Sequence, residues 1–164
     1  MEIKQLLGEY DCKIDAKGRM RMPSGLIAQL NEPEDPSEPS TPLTFVINRG
    51  FEKCLMLYPE PVWEKITAEI NQLNLYNKKN RNFVRYFYRG AHKVNMDSAD
   101  RILVTKRLLE YAGIERDVIL SAYNDRIEIW AKDEYDRMMD EEPDDFSDLA
   151  EDVLGKSNDT NIDL

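Results

Sequence analysis

The chain has 164 residues, 41% hydrophobic and 33% charged, with 22 basic and 32 acidic side chains and a formal net charge of −10. That length and apolar content suit one domain, or two small ones sharing a core, and exclude a fully disordered chain. No apolar run reaches the ~20 residues a bilayer needs, the opening MEIKQLLGEYD lacks the apolar stretch of an export signal, and the acidity argues against a nucleic-acid partner until the charge is located.

A first strand is predicted near residues 9–15, then a turn at AKGR and a second strand over 19–22. A short helix follows at 24–30. Residues 31–42, NEPEDPSEPSTP, hold four acids, four prolines and no base, the composition of a surface loop. Two strands come next, Thr44–Asn48 and Cys54–Tyr58, joined through the turn formers of NRGFEK. Pro59 and Pro61 mark the entry of a helix reaching to about Leu73. Residues 70–96 contain Lys78, Lys79, Arg81, Arg85, Arg89 and Lys93 and no acid. A helix over 78–89 stacks Arg81, Arg85 and Arg89 on one face at i, i+4, i+8. That face reads as a contact surface for an anion such as nucleic acid, or as a solvated stripe, or as a partner for the acidic C-terminal segment.

The pattern then repeats. Gly8–Leu30 aligns with Gly90–Ala112 at an offset of 82, which brings Gly8 to Gly90, Asp15 to Asp97, Arg19 to Arg101 and Leu26 to Leu108. Phe45–Trp63 aligns with Asp117–Tyr135 at an offset of 72, with Val46 over Val118 and Ile47 over Ile119. The fall from 82 to 72 places a ten-residue insertion in the first copy, within 31–42. The second copy therefore predicts a strand before SADR, a strand at 101–104 and a helix at 106–112. The strand pair Val118–Ala122 and Arg126–Trp130 follows, then a helix over Lys132–Asp140. Each ββαββ-like unit is too small to stand alone, so the two share one core.

Residues 133–164 hold thirteen acids and two bases, a net of −11, which leaves residues 1–132 at +1 and, without the 31–42 loop, at +5. The acidity thus belongs to appendages. The expected organisation is a first unit over 6–60, a helical linker over 61–89 and a second unit over 90–133. Residues 134–164 finish a helix and continue as an acidic tail without regular structure.

Few residues carry catalytic chemistry. Cys12 and Cys54 are the only cysteines, stand 42 positions apart and form no CxxC, so free buried thiols of a reducing compartment are expected. His92 is the single histidine and has no nucleophile motif beside it. Phosphate-binding glycine loops are absent from the sequence. Asp15 and Asp97 are the one repeated carboxylate pair, and no cofactor loop or metal cluster accompanies them. The chain reads as a non-enzyme, with no metal, cofactor or small-molecule substrate.

The repeated D-x-x-x-R, Asp15…Arg19 and Asp97…Arg101, has two readings. As a turn clasp, the carboxylate reaches the guanidinium across a tight turn, which Gly18 permits through a positive φ. As a contact loop, Arg19 with Lys13, Lys17 and Arg21 faces DNA, arginine reading guanine and lysine meeting phosphate. The two are compatible for the first copy. In the second, Asp100 replaces the glycine and adds a charge that repels phosphate, which favours the clasp.

These stretches resemble the MraZ family, bacterial proteins built from two SpoVT/AbrB-type units. The carriers are GEYDCKIDAKGRMRMPSGL, FVINRGFEKCLMLYPEPVWEKI, RNFVRYFYRGAHKVNMDSADRILVTKRLLEYAGIERDVIL and DRIEIW, covering about residues 6–139. The resemblance implies an α+β fold, its duplicated β-rich units forming a pseudo-twofold β-barrel core with flanking helices. It implies a cytoplasmic, nucleoid-associated transcriptional regulator. Such a protein binds tandem repeats in promoters of division and cell-wall gene clusters as a ring-shaped homo-oligomer. Its DNA-contact arginine maps to Arg19, and its second motif to Asp97 and Arg101. SpoVT/AbrB-type units also occur in antitoxins, so an antitoxin-like or protein-interaction module using the acidic tail is the alternative.

Overall fold

The computed structural model describes residues 4–31, 37, 43–141 and 145–162. The predicted 31–42 loop therefore lies outside the described residues, apart from Asn31 and Ser37. The chain divides into two units, Met1–Lys132 and Asp133–Leu164.

Among its described residues the first unit holds eight strands and four helices in the order that the repeat predicts. In chain order they are β1 (Gly8–Lys13), β2 (Arg19–Arg21), α1 (Ser24–Asn31), β3 (Thr44–Arg49), β4 (Leu55–Pro59) and α2 (Glu60–Ile70). Then come α3 (Lys78–Tyr88), β5 (His92–Asn95), β6 (Arg101–Leu103), α4 (Lys106–Ala112), β7 (Asp117–Tyr123) and β8 (Arg126–Ala131). The basic helix α3 starts on Asn77, whose side chain accepts from the amides of Lys79 and Asn80.

Six strands form one antiparallel sheet in the order β1-β7-β8-β4-β3-β5, and β2 pairs with β6 in a separate ribbon. Exchanging each strand for its counterpart in the other repeat gives the same order backwards. Each repeat thus donates its first strand to the other, β1 onto β7 and β5 onto β3. The centre of this exchange is visible in the register. Met20 faces Ile102 in the ribbon and Met56 faces Glu128 in the sheet, and each pair joins equivalent positions of the two copies.

Inward residues of both sheets close one core. Phe45, Ile47, Leu55 and Leu57 of the first copy meet Val118, Leu120, Ile127 and Ile129 of the second. Met20 and Ile102 of the ribbon, with Leu26 of α1 and Leu108 of α4, join the same core. Full burial of each such side chain is worth about 1.5–3 kcal/mol relative to exposure.

Three expectations need correction. The closed barrel is not formed. The six-stranded sheet is open, with β1 and β5 at its edges, because β2 and β6 pair with each other instead of bridging those edges. Among the described residues only the Ile14–Met20 bridge joins the end of β1 to β2. The fold is α+β, with open antiparallel sheets and a duplicated unit.

The alignment of the third strands is also one residue out. Phe45 and Ile47 point into the core, as do Val118 and Leu120, so Phe45 corresponds to Val118 and Ile47 to Leu120. A one-residue slip reverses every side chain in a strand, and burial therefore decides the register. The difference lies in the following turns. Gly50 N–H donates to the Cys54 carbonyl around three residues, Phe51–Lys53, whereas Tyr123 pairs with Arg126 around two. The shorter turn uses Asn124 at φ 52°, as a two-residue hairpin requires.

Outside the sheet, α2 covers β3 and β4. Trp63 lies 5.7 Å from the Tyr58 ring and stacks on Phe87 of α3 at 5.6 Å. Arg49 fixes the same C-terminal end of α3, its Nε donating to the Arg89 carbonyl and its Nη2 to that of Tyr86. In the second unit α5 (Lys132–Asp140) is followed by α6 (Phe146–Ile162). Where a tail without regular structure is expected, residues 146–162 form this helix, with Phe146, Leu149, Val153 and Leu154 exposed.

Candidate nucleic-acid interface

The D-x-x-x-R turns open the two strands of the ribbon. In the first, Asp15 Oδ1 accepts from the amides of Lys17 and Arg19, both at 2.9 Å. Asp15 N–H donates to the Arg19 carbonyl and Gly18 N–H to the Asp15 carbonyl, which closes the turn. Gly18 takes φ 82°, and a Cβ there would stand 2.7 Å from the Val104 carbonyl oxygen. The close approach requires glycine, which also takes this φ without strain.

The carboxylate thus clasps its turn through backbone amides. The expected link to the guanidinium is absent in the first copy. Arg19 makes no side-chain hydrogen bond or ion pair among the described residues and is partly exposed. The second copy differs. Asp97 Oδ1 accepts from the amides of Ala99 and Arg101, and its Oδ2 also holds Arg101 Nε at 2.9 Å. That contact is single, not bidentate.

The ribbon has a dry face and a wet one. Met20 and Ile102 face inward, while Arg19, Arg21, Arg101 and Leu103 face outward. Arg19 lies opposite Leu103, and Arg21 opposite Arg101. Lys17 is exposed in the turn beside them. Lys13 stands elsewhere, exposed on β1 across from Asp117, whose charge opposes its own.

The basic helix face is less uniform than the spacing predicts. Arg81 Nη1 donates to the carbonyls of Leu75 and Tyr76 and fastens the preceding loop. Arg85 is exposed with a long contact to Asn82, and Arg89 is the C-cap in an extended conformation, past the helical stack. The opposition of Arg21 and Arg101 was invisible to motif spacing. The equivalence of Met20 and Ile102 was its one available signal.

Both turn carboxyls lie below the ordinary aspartate value of 3.8. The main cause is the amide of Arg19 donating to Asp15 and that of Arg101 donating to Asp97. The sign follows from linkage. The turn's stability is complete above the unfolded value and is lost as pH falls through the lowered folded value. In an NMR titration the Lys17 and Arg19 amide shifts are expected to move together, below 3.8, and to stop titrating in Asp15→Asn. A midpoint at or above 3.8 contradicts the clasp.

Other chemistry is quiet. Cys12 and Cys54 are free, and burial pushes the Cys54 thiol up to about 12, so it is no nucleophile at neutral pH. His92 is partly exposed, its Nδ1 3.0 Å from the Gly90 carbonyl oxygen. An open groove of about 370 Å³ is lined by Arg49, Tyr86, Tyr111, Arg126 and Glu128 among others. Arg49, Arg126 and Glu128 in its lining already have partners. Arg126 pairs with Asp125, and Glu128 accepts from Tyr123 and Trp130. No three metal-ligating residues converge among the described ones, and no described helix is long and apolar enough to cross a membrane.

The sequence model of the MraZ protein family, described as antitoxin-like, matches residues 5–86 and again 87–156. The chain belongs to the MraZ family. The MraZ transcriptional regulator of Christiangramia forsetii is 42% identical over 154 residues, 93% of this chain and 95% of the relative. That of Flavobacterium psychrophilum is 41% identical over 155 residues, 94% of each. That of Cytophaga hutchinsonii is 35% identical over 147 residues, 90% of this chain and 93% of the relative. The MraZ match in two segments coincides with the duplication read from the strands. A MraZ-type chain is a transcriptional regulator and not an enzyme.

Proposed function

We propose that the chain regulates transcription by binding DNA in a sequence-specific manner through the β2–β6 ribbon. A two-stranded ribbon fits the major groove, which is about 12 Å wide. The observation that carries this reading is the outward guanidinium of Arg19, without a hydrogen bond or ion pair among the described residues, on a backbone held by Asp15 and Gly18. Its planar donors suit guanine O6 and N7. Lys17 and Arg21 supply phosphate contacts beside it, and Lys13 a flanking one. Arg85 and Arg89 offer further exposed cations at the end of α3, Arg89 using only its backbone as the cap, whereas Arg81 is occupied.

One ribbon supplies few contacts, so a ring of several subunits on tandem promoter repeats multiplies a weak interaction through effective concentration. The family resemblance supports promoters of the division and cell-wall gene cluster as the targets, and the nucleoid in the cytoplasm as the place. A binding footprint on the DNA upstream of the protein's own gene tests this. The expected result is protection of regularly spaced short repeats. Affinity should fall steeply with salt, by ~0.9 log units per log unit of salt for each phosphate neutralised. A flat salt dependence, or no protected repeats, contradicts it.

A further inference from the structure

The two turns share a backbone and differ in charge. Lys17, Gly18 and Arg19 of the first correspond to Ala99, Asp100 and Arg101 of the second. Gly18 at φ 82° and Asp100 at φ 60° occupy the same left-handed region, so the exchange changes charge and leaves the path of the chain alone. The Asp100 side chain is exposed.

The surroundings of the two arginines differ as well. Arg19 faces Leu103 across the ribbon, and Arg101 faces Arg21. Like charges directly opposite on paired strands repel. Asp97 relieves that repulsion by holding Arg101 Nε at 2.9 Å. Arg19 has no such opposing cation, and its guanidinium makes no hydrogen bond or ion pair among the described residues, its charge acting on Asp15 at longer range. One end of the ribbon therefore offers Lys17 and Arg19 against Asp15. At the other end Arg101 stands against both Asp97 and Asp100, while Arg21, opposite it on β2, remains with the first-copy strand that meets phosphate.

We propose that Asp97 and Asp100 make the ribbon single-ended: the first-copy turn meets DNA, the second-copy turn is held off it, and each subunit lies on the duplex in one direction. The inference rests on the DNA-binding reading above. Its physical basis is the pseudo-twofold pairing centred on Met20 and Ile102. A ribbon with two equally basic ends docks either way round with similar energy. Acid at one end repels phosphate there, and the Asp97 clasp engages the Arg101 donor that would reach a base. Asp97 and Asp100 thus act as positioning residues that set polarity without touching DNA.

The test measures binding against salt for a duplex from upstream of the protein's own gene and for a scrambled duplex. The parent is compared with Arg19→Ala, Arg101→Gln, the double variant Ala99→Lys/Asp100→Gly, and that double variant carrying Arg101→Gln. Arg101→Gln alone is expected to leave the slope of log K against log salt within about 0.3 of the parent. The double variant should steepen the slope by about one to two units, as up to two more phosphates are neutralised. Arg101→Gln should then reverse part of that gain.

Circular dichroism and the Tm report folding, and a steeper slope is a gain that misfolding does not imitate. A slope flattened by about one unit in Arg101→Gln, at unchanged Tm, overturns the proposal. So does a double variant whose slope does not move while Arg19→Ala has lost binding. If Arg19→Ala binds like the parent, the DNA reading of the ribbon falls, and the proposal with it.

Discussion

Arg19→Ala is expected to abolish binding to the promoter repeats while the fold and its stability stay within about 0.5 kcal/mol of the parent. The side chain is partly exposed, and the turn is held by Asp15 accepting from backbone amides, which an alanine at position 19 keeps. Losing one good bidentate base contact costs about 1–3 kcal/mol per site. In an assembly with several subunits on several repeats that loss recurs at every site, so gel shifts at physiological salt should show no specific complex. Arg19→Lys separates the two contributions. It keeps the charge and most of the scrambled-duplex affinity and loses discrimination, because an ammonium lacks the planar fork. A normal gel shift with Arg19→Ala would remove the ribbon from the interface.

The largest expected effect on stability is at Phe45. Its side chain is fully buried, and its strand pairs with β4 of its own copy and β5 of the other. Phe45→Ala should cost about 3–5 kcal/mol, the range for a large aromatic removed from a core. The loss should appear in both copies at once. Trp63 in α2 and Trp130 in β8 are the two tryptophans, one in each repeat. Single-tryptophan variants, Trp63→Phe and Trp130→Phe, therefore report the copies separately during urea unfolding. Coincident midpoints, shifted together by Phe45→Ala, are the expected outcome. Separate midpoints would mean that the repeats fold as independent units.

Much of this architecture was legible because each repeat predicts the other. The strand–turn–strand of Asp15–Arg19 was readable from its recurrence at Asp97–Arg101, and the entry of α2 from Pro59 and Pro61. The third-strand register was not. Val46 and Ile119 are buried on the outer face while Phe45 and Val118 are buried on the inner, so both faces are apolar and alternation carries no information. The more attractive match of Val46 to Val118 is one residue wrong for that reason. Sheet order was hidden as well, since β1 onto β7 joins residues from opposite ends of the unit.

At the interface, residue types were legible and their states were not. Both copies carry D-x-x-x-R, yet only Arg101 is held by its aspartate. The difference comes from what stands across the ribbon, Leu103 or Arg21, and that follows only from the β2–β6 register. The role of Arg81 in fastening the loop at Leu75 and Tyr76 depends likewise on a backbone path that charge spacing does not encode.

The exchange of first strands also dictates a timetable for synthesis. The β1 strand leaves the ribosome early, but its hydrogen-bonding partner Asp117–Tyr123 is translated about a hundred residues later. At roughly 5–20 residues per second that interval is about 5–20 s. During it the β3–β4 hairpin has its local partner in hand, while β1 and the inward face of the first repeat wait with their amides and apolar side chains unsatisfied. A pause or truncation before β7 would therefore release a nascent chain with an open edge, the form most exposed to mispairing with its neighbours on the same messenger.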